Sequence, residues 1–220
     1  MAIFNTVYGG EPKWKPWTDT VAYYKFDWNL NDSSWNWYDI TLYTWSVTYW
    51  TASWWWKYAY FNRDTWTNYR SRNVNYDWPN TISFFINLQE KLTWWTHDIV
   101  ELWYNGTNNF IRFCNSIDFT WRPISTTATT DLSSETRYLI TVAFDWTTFH
   151  FYKNGVEFAT SWKSLGWTYN SRFRINQVPD TNSNTYSNNM YISELIWEEK
   201  YWSADNVLSY YNRKKANYGL

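Results

Sequence analysis

The chain has 220 residues, a net charge of -1 and only 18% charged residues, so no net field draws it to a nucleic-acid backbone or an anionic membrane. No stretch reaches the roughly 20 apolar residues of a membrane-spanning helix, which argues against membrane insertion. The opening MAIFNTVYGG lacks the basic start and apolar centre of a secretion signal, and the single cysteine, Cys114, excludes an intramolecular disulfide.

In chain order, residues 1–18 carry YGGEPKWKPW, with the proline and polar content of an N-terminal tether. Residues 19–220 read as one domain. Short runs rich in Val, Ile, Thr, Tyr and Phe follow one another: TVAYYKFD, KYAYFN, TISFFINL, HDIVEL, NFIRFC, RYLITVAFD, TFHFYK, VEFAT, SRFRIN and MYISELIW. Asn, Asp, Ser and Thr clusters separate them, which is the pattern of antiparallel strands joined by turns. Within RYLITVAFD, Tyr138, Ile140, Val142 and Phe144 share a face, and in TISFFINL so do Ile82, Phe84, Ile86 and Leu88. One dry and one wet face per strand predicts two packed sheets. One helix is expected near the end, capped by Ser203, with Asp205 in its first turn and Arg213 to Lys215 near its C-terminus. Trp202 and Val207 have the spacing of a hydrophobic staple. The expected fold is therefore all-β, a two-sheet antiparallel jelly-roll sandwich with one short C-terminal helix.

Tryptophan is over-represented: 21 Trp stand beside only 6 Gly, where an average chain of this length carries about 15 Gly. Many fall in polar turn contexts, such as FDWNLNDSSWNWYD, ASWWWKY and FDWTTF, where glycine relieves strain and an indole has no backbone reason to sit. Asn154-Gly155 is a strong hairpin signal, while the preceding turn places Trp146 after Asp145, where the same logic expects glycine. These tryptophans read as glycine positions whose UGA codons, glycine in some bacterial lineages, were rendered as Trp. Trp202 is kept as genuine for its staple role, and Trp197 is left open. The competing reading takes the exposed indoles as a stacking platform for sugars.

With that substitution, the sequence resembles the laminin G-like, concanavalin A-like lectin/glucanase superfamily. VAYYKFDWNLNDSSWNWYD is similar to its first strand and loop, ITVAFDWTTFHFYKNGVE to its central hairpins, and MYISELIWEEKYWSADNVLSYYN to its closing strand and helix. The resemblance implies the sandwich but is weak for function, because the superfamily holds lectins, adhesion modules, glycosidases and virion proteins.

Catalysis is not expected. The nearest match to the glucanase strand motif is Glu194-Leu195-Ile196-Trp197-Glu198-Glu199, which lacks the central Asp. Glu194 and Glu198 would stand about 13 Å apart along an ideal strand, outside the separations of about 5–9.5 Å that glycosidases use. No cofactor motif is present. Asp27, Asn29, Asn31, Asp32 and Asp39 place several oxygen ligands in one loop, a set that suits structural calcium; the same residues build turns and Asx caps.

A carbohydrate-binding surface is sought on the outward sheet face. Alternation puts His150 and Tyr152 opposite Phe149 and Phe151, and sends Arg112, Arg172, Arg174 and Asn176 outward. Such side chains hydrogen-bond sugar hydroxyls. The leading expectation is a non-catalytic carbohydrate-binding or adhesive module, with glycans or a larger surface or virion assembly as partners. The alternative is a structural virion or cell-surface assembly protein that binds no glycan, and the third a degenerate glycosidase. Asn, Thr, Ser and Tyr richness suits an extracellular surface.

Overall fold

A computed structural model describes residues 20–34, 36, 38–42, 48–53, 56–61, 69–71, 81–89, 100–104, 132–162, 171–175 and 189–220. The tether 1–18, the NFIRFC run, Arg112, Cys114 and Asn176 lie outside these residues.

The strands are β1 (Thr20–Tyr24), β2 (Ile40–Leu42), β3 (Thr48–Ser53), β4 (Trp56–Phe61), β5 (Tyr69–Ser71) and β6 (Thr81–Leu88). They continue with β7 (Val100–Tyr104), β8 (Arg137–Phe144), β9 (Thr148–Lys153), β10 (Val156–Trp162), β11 (Ser171–Ile175) and β12 (Met190–Glu198). A helix, α1 (Ala204–Lys214), and a 3-10 turn over Lys215–Tyr218 close the chain. The first sheet runs β10-β9-β8-β6-β12-β4-β3, with β1 also on β12, and the second runs β2-β5-β11-β7. Every pairing is antiparallel. The chain is an all-β sandwich with one C-terminal helix, as its alternating runs predict.

Period-2 alternation builds the core between the sheets. Ile82, Phe84, Ile86 and Leu88 of β6 join Ile140, Val142 and Phe144 of β8, with Ile40 reaching in from the second sheet. The Phe144 and Phe149 rings stack at 4.4 Å. In β12 the alternation changes phase: a bulge falls between Ser193 and Leu195, and Glu194 takes a φ of 46°. The extra residue lets Ile192 face the core before the bulge and Leu195 and Trp197 after it.

Part of the opposite face of the first sheet is also dry, and there the expectation of one dry and one wet face is corrected. Phe85, Leu139, Ala143, Tyr152 and Ile196 form a second core with Trp202, Val207 and Tyr210. The sequence already interrupts its alternation there, since Leu139 and Ala143 are apolar between core-facing neighbours. Each large side chain so covered contributes about 1.5–3 kcal/mol relative to exposure.

The helix is held as expected. Ser203 caps it in a reciprocal capping box with Asn206, Asp205 lies in the first turn, and Arg213 and Lys214 lie in the last. Trp202 and Val207 are both buried.

Two kinds of tryptophan separate. Trp197 and Trp202 are buried, at 0% and 1% exposure, in the first and second cores. Trp28 and Trp146 are 56% and 61% exposed and adopt φ of 84° and 78°, the left-handed region that a side chain disfavours. Trp35 and Trp37 lie outside the described residues.

Candidate functional site

The turn Asp145-Trp146-Thr147 joins β8 to β9. The Asp145 carboxylate closes it, its Oδ1 accepting from Thr147 N (2.9 Å), Thr147 Oγ1 (2.7 Å) and Thr148 N (2.7 Å). Alternation in β9 sends Phe149 and Phe151 into the core and His150 to the other face. There His150 Nδ1 lies 2.8 Å from Glu157 Oε2 of β10, and Nε2 lies 3.4 Å from Asp145 Oδ2. The Tyr201 ring stands 5.7 Å from the imidazole. A histidine, two carboxylates and a tyrosine therefore meet at the rim of the first sheet.

Its electrostatics follow from these contacts. Partial burial works to raise the Asp145 pKa, but hydrogen bonds from Thr147, Thr148 and His150 outweigh it and hold the carboxyl at about 2. Burial, then the nearby Tyr201 and Glu157, pushes the Tyr152 phenol well up. Tyr201 is also raised, chiefly by burial. At neutral pH Asp145 is therefore a carboxylate acceptor beside the neutral Tyr201 phenol, a set that can hold hydroxyl donors.

The expected site residues are only partly brought together. Tyr152 stands on the face that alternation assigns it, but the second core covers that face and leaves it 1% exposed. It is thus corrected from a contact residue to a buried support. Arg172 and Arg174 belong to β11 in the second sheet, where Arg172 pairs with Trp103 and Arg174 with Glu101 and Arg70. Alternation assigns a face but not a sheet, so sequence reasoning joined residues that the fold divides. Arg112 and Asn176 lie outside the described residues.

The loop after β1 turns around Asp32. Its Oδ1 accepts from Tyr23 N (2.9 Å) and Ser34 N (2.8 Å), and its Oδ2 from Ser34 Oγ (2.7 Å) and Tyr38 N (3.1 Å). Asp39 Oδ1 accepts from Asp32 N, and Asn29 Oδ1 from Asn31 N. These oxygens close Asx turns, and both Asp32 oxygens are already doubly engaged. Among the described residues no group of three or more His, Cys, Asp or Glu side chains is placed to hold a metal ion.

One cluster escaped sequence reasoning. Glu194 is 3% exposed and accepts from the hydroxyls of Tyr23 (3.0 Å), Tyr210 (2.9 Å) and Tyr218 (2.6 Å). Lys214 Nζ adds a fourth contact at 2.8 Å. Burial and then the Glu194 charge push the phenols of Tyr210 and Tyr218 well above their ordinary values. The only local signal was an acidic residue in an apolar strand. Glu198 is also buried and accepts from Thr20 Oγ1 at 2.7 Å.

No protein-family model and no curated protein matches the sequence. Solved structures do. Domain 4 of AbnA, a GH43 extracellular arabinanase from Geobacillus stearothermophilus in complex with arabinotriose, superposes with a TM-score of 0.65 at 16% identity, over 87% of this chain and 97% of that domain. The binding domain of Paraclostridial Mosquitocidal Protein 1 gives 0.70 at 15% identity, and that of botulinum neurotoxin serotype D gives 0.64 at 13%. Each of these two matches covers 89% of this chain and 52% of the binding domain. The likeness establishes a β-sandwich of the kind found in these binding domains.

Proposed function

We propose that this chain is a non-catalytic carbohydrate-binding or adhesive module. The observation that carries the reading is the rim, where His150, Asp145, Glu157 and Tyr201 place polar acceptors and an aromatic ring within reach of one sugar. Support comes from the AbnA domain, a sandwich of similar extent bound to arabinotriose. Catalysis is disfavoured by the state of the carboxyls. Glu194 is buried under four donors, and Asp145, held at about pKa 2, is too acidic for a general acid near neutrality.

The test is an array of neutral oligosaccharides, arabinotriose included, probed with the full chain, followed by calorimetry and an assay for released reducing ends. Binding without hydrolysis is expected, with Tyr201→Ala and His150→Ala each weakening it about ten-fold. Absence of binding would overturn the reading. A defined oligomer by light scattering in that case favours the structural assembly role.

We propose further that Trp28 and Trp146 occupy glycine positions of the native chain, encoded by UGA. Support lies in their positive φ and high exposure, against the complete burial of Trp197 and Trp202. Trp28→Gly and Trp146→Gly are each expected to stabilise the fold by about 1 kcal/mol in urea unfolding. UGG codons at these two positions in the source gene would end the idea.

A further inference from the structure

Cross-strand partners on one face of a sheet stand side by side. One such row crosses five strands of the first sheet without a break. Thr48 of β3 faces Tyr60 of β4, Tyr60 faces Tyr191 of β12, Tyr191 faces Asn87 of β6, and Asn87 faces Arg137 of β8. The neighbouring register, with Ala59, Ile192, Ile86 and Tyr138, points into or packs against the core, so the row lies on the outer face. None of its five members is buried; Thr48 is exposed and the others are partly so.

The row has a built character. The Tyr60 and Tyr191 rings lie 4.9 Å apart, and Tyr58, buried on the same face of β4, meets Tyr191 edge-on at 4.4 Å. Two rings of β4 thus hold Tyr191 from the side. Asn87 Oδ1 accepts from Gln89 Nε2 at 2.9 Å, which orients its amide. The Arg137 guanidinium donates to the Tyr218 carbonyl. Tyr218 itself stacks on Phe85 at 3.8 Å, so the 3-10 turn walls the row on that side. Five strands at about 4.8 Å spacing make a shelf about 19 Å long.

We propose that this tyrosine row is a second binding surface of the module, an open shelf for a neutral oligosaccharide lying across the strands. The proposal rests on the carbohydrate-binding reading above but concerns a different surface from the His150 rim. Phenol rings offer apolar faces to the C–H faces of pyranose or furanose rings. Asn87, Arg137 and Thr48 supply amide, guanidinium and hydroxyl groups for the equatorial oxygens. No carboxylate belongs to the row, which suits a neutral chain, and its length suits several sugar units rather than one.

The test uses the full chain, the same array and calorimetry with its strongest ligand. Tyr191→Ala and Tyr60→Ala are each expected to weaken binding about ten-fold, while Tyr191→Phe retains the ring and most of the affinity. If the wild-type chain binds and both alanine variants bind equally well, the shelf is wrong and the carbohydrate reading stands on the His150 rim. If the wild-type chain binds nothing on the array, both fall. Should either alanine variant fail to fold, tetranitromethane nitration of the wild-type protein decides. Ligand protection of Tyr60 and Tyr191 supports the shelf, and unchanged nitration overturns it.

Discussion

At Gly155 the φ is +80°, and a Cβ placed there would lie 3.1 Å from Leu208 Cδ1 and from Tyr211 Cβ and Cδ1. The hairpin therefore needs glycine twice, once for its backbone and once because α1 passes against it. Gly155→Ala is expected to cost about 1–3 kcal/mol, read from the urea midpoint at unchanged slope. Trp146 occupies a backbone of the same hand in the preceding turn, but its side chain is 61% exposed. Its cost is conformational alone. The Asn154-Gly155 turn was legible because type I′ chemistry is local. The approach of α1 was not, because Leu208 lies more than fifty residues along the chain.

Among the elements, β12 and α1 depend on each other through Glu194. The bulge at Ser193/Leu195 turns Glu194 to the outer face, where Tyr210 and Lys214 from α1 and Tyr218 from the 3-10 turn close on it. Removing the acceptor leaves a partly buried ammonium and three phenols to find new partners. Glu194→Ala is expected to lose about 3–5 kcal/mol, with α1 amides exchanging faster while β6 and β8 stay protected. Equal loosening of all three elements would argue against a clasp local to α1. The helix itself was legible: Ser203, Asp205, Arg213 and Lys214 stand where capping and dipole rules put them. Its docking face was not, because Trp202 and Val207 announce burial without saying against what.

Over the whole molecule, the first sheet is covered on one face by the second sheet and on part of the other by α1. That double cover explains why Tyr152, placed correctly on the outer face by alternation, is sealed beneath the second core, while Tyr60 and Tyr191, farther along the same face, are partly exposed. It also explains how His150 reaches the rim while Arg172 and Arg174 lie in the other sheet. The solved structures share the β-sandwich at 13–16% identity, so the likeness rests on the layout of strands.

The runs that form β1, β4 and β6 to β12, the inner faces of β6 and β8, the Asn154-Gly155 hairpin and the capped helix were determined by the sequence alone, because each depends on residues within a few positions of one another. Pairing order, the bulge at Glu194, the helix docked on the first sheet and the row from Thr48 to Arg137 were decided only by the tertiary structure. Partners such as Tyr60 and Tyr191 are more than a hundred residues apart, and no local preference of the backbone records which strand will come to lie beside which.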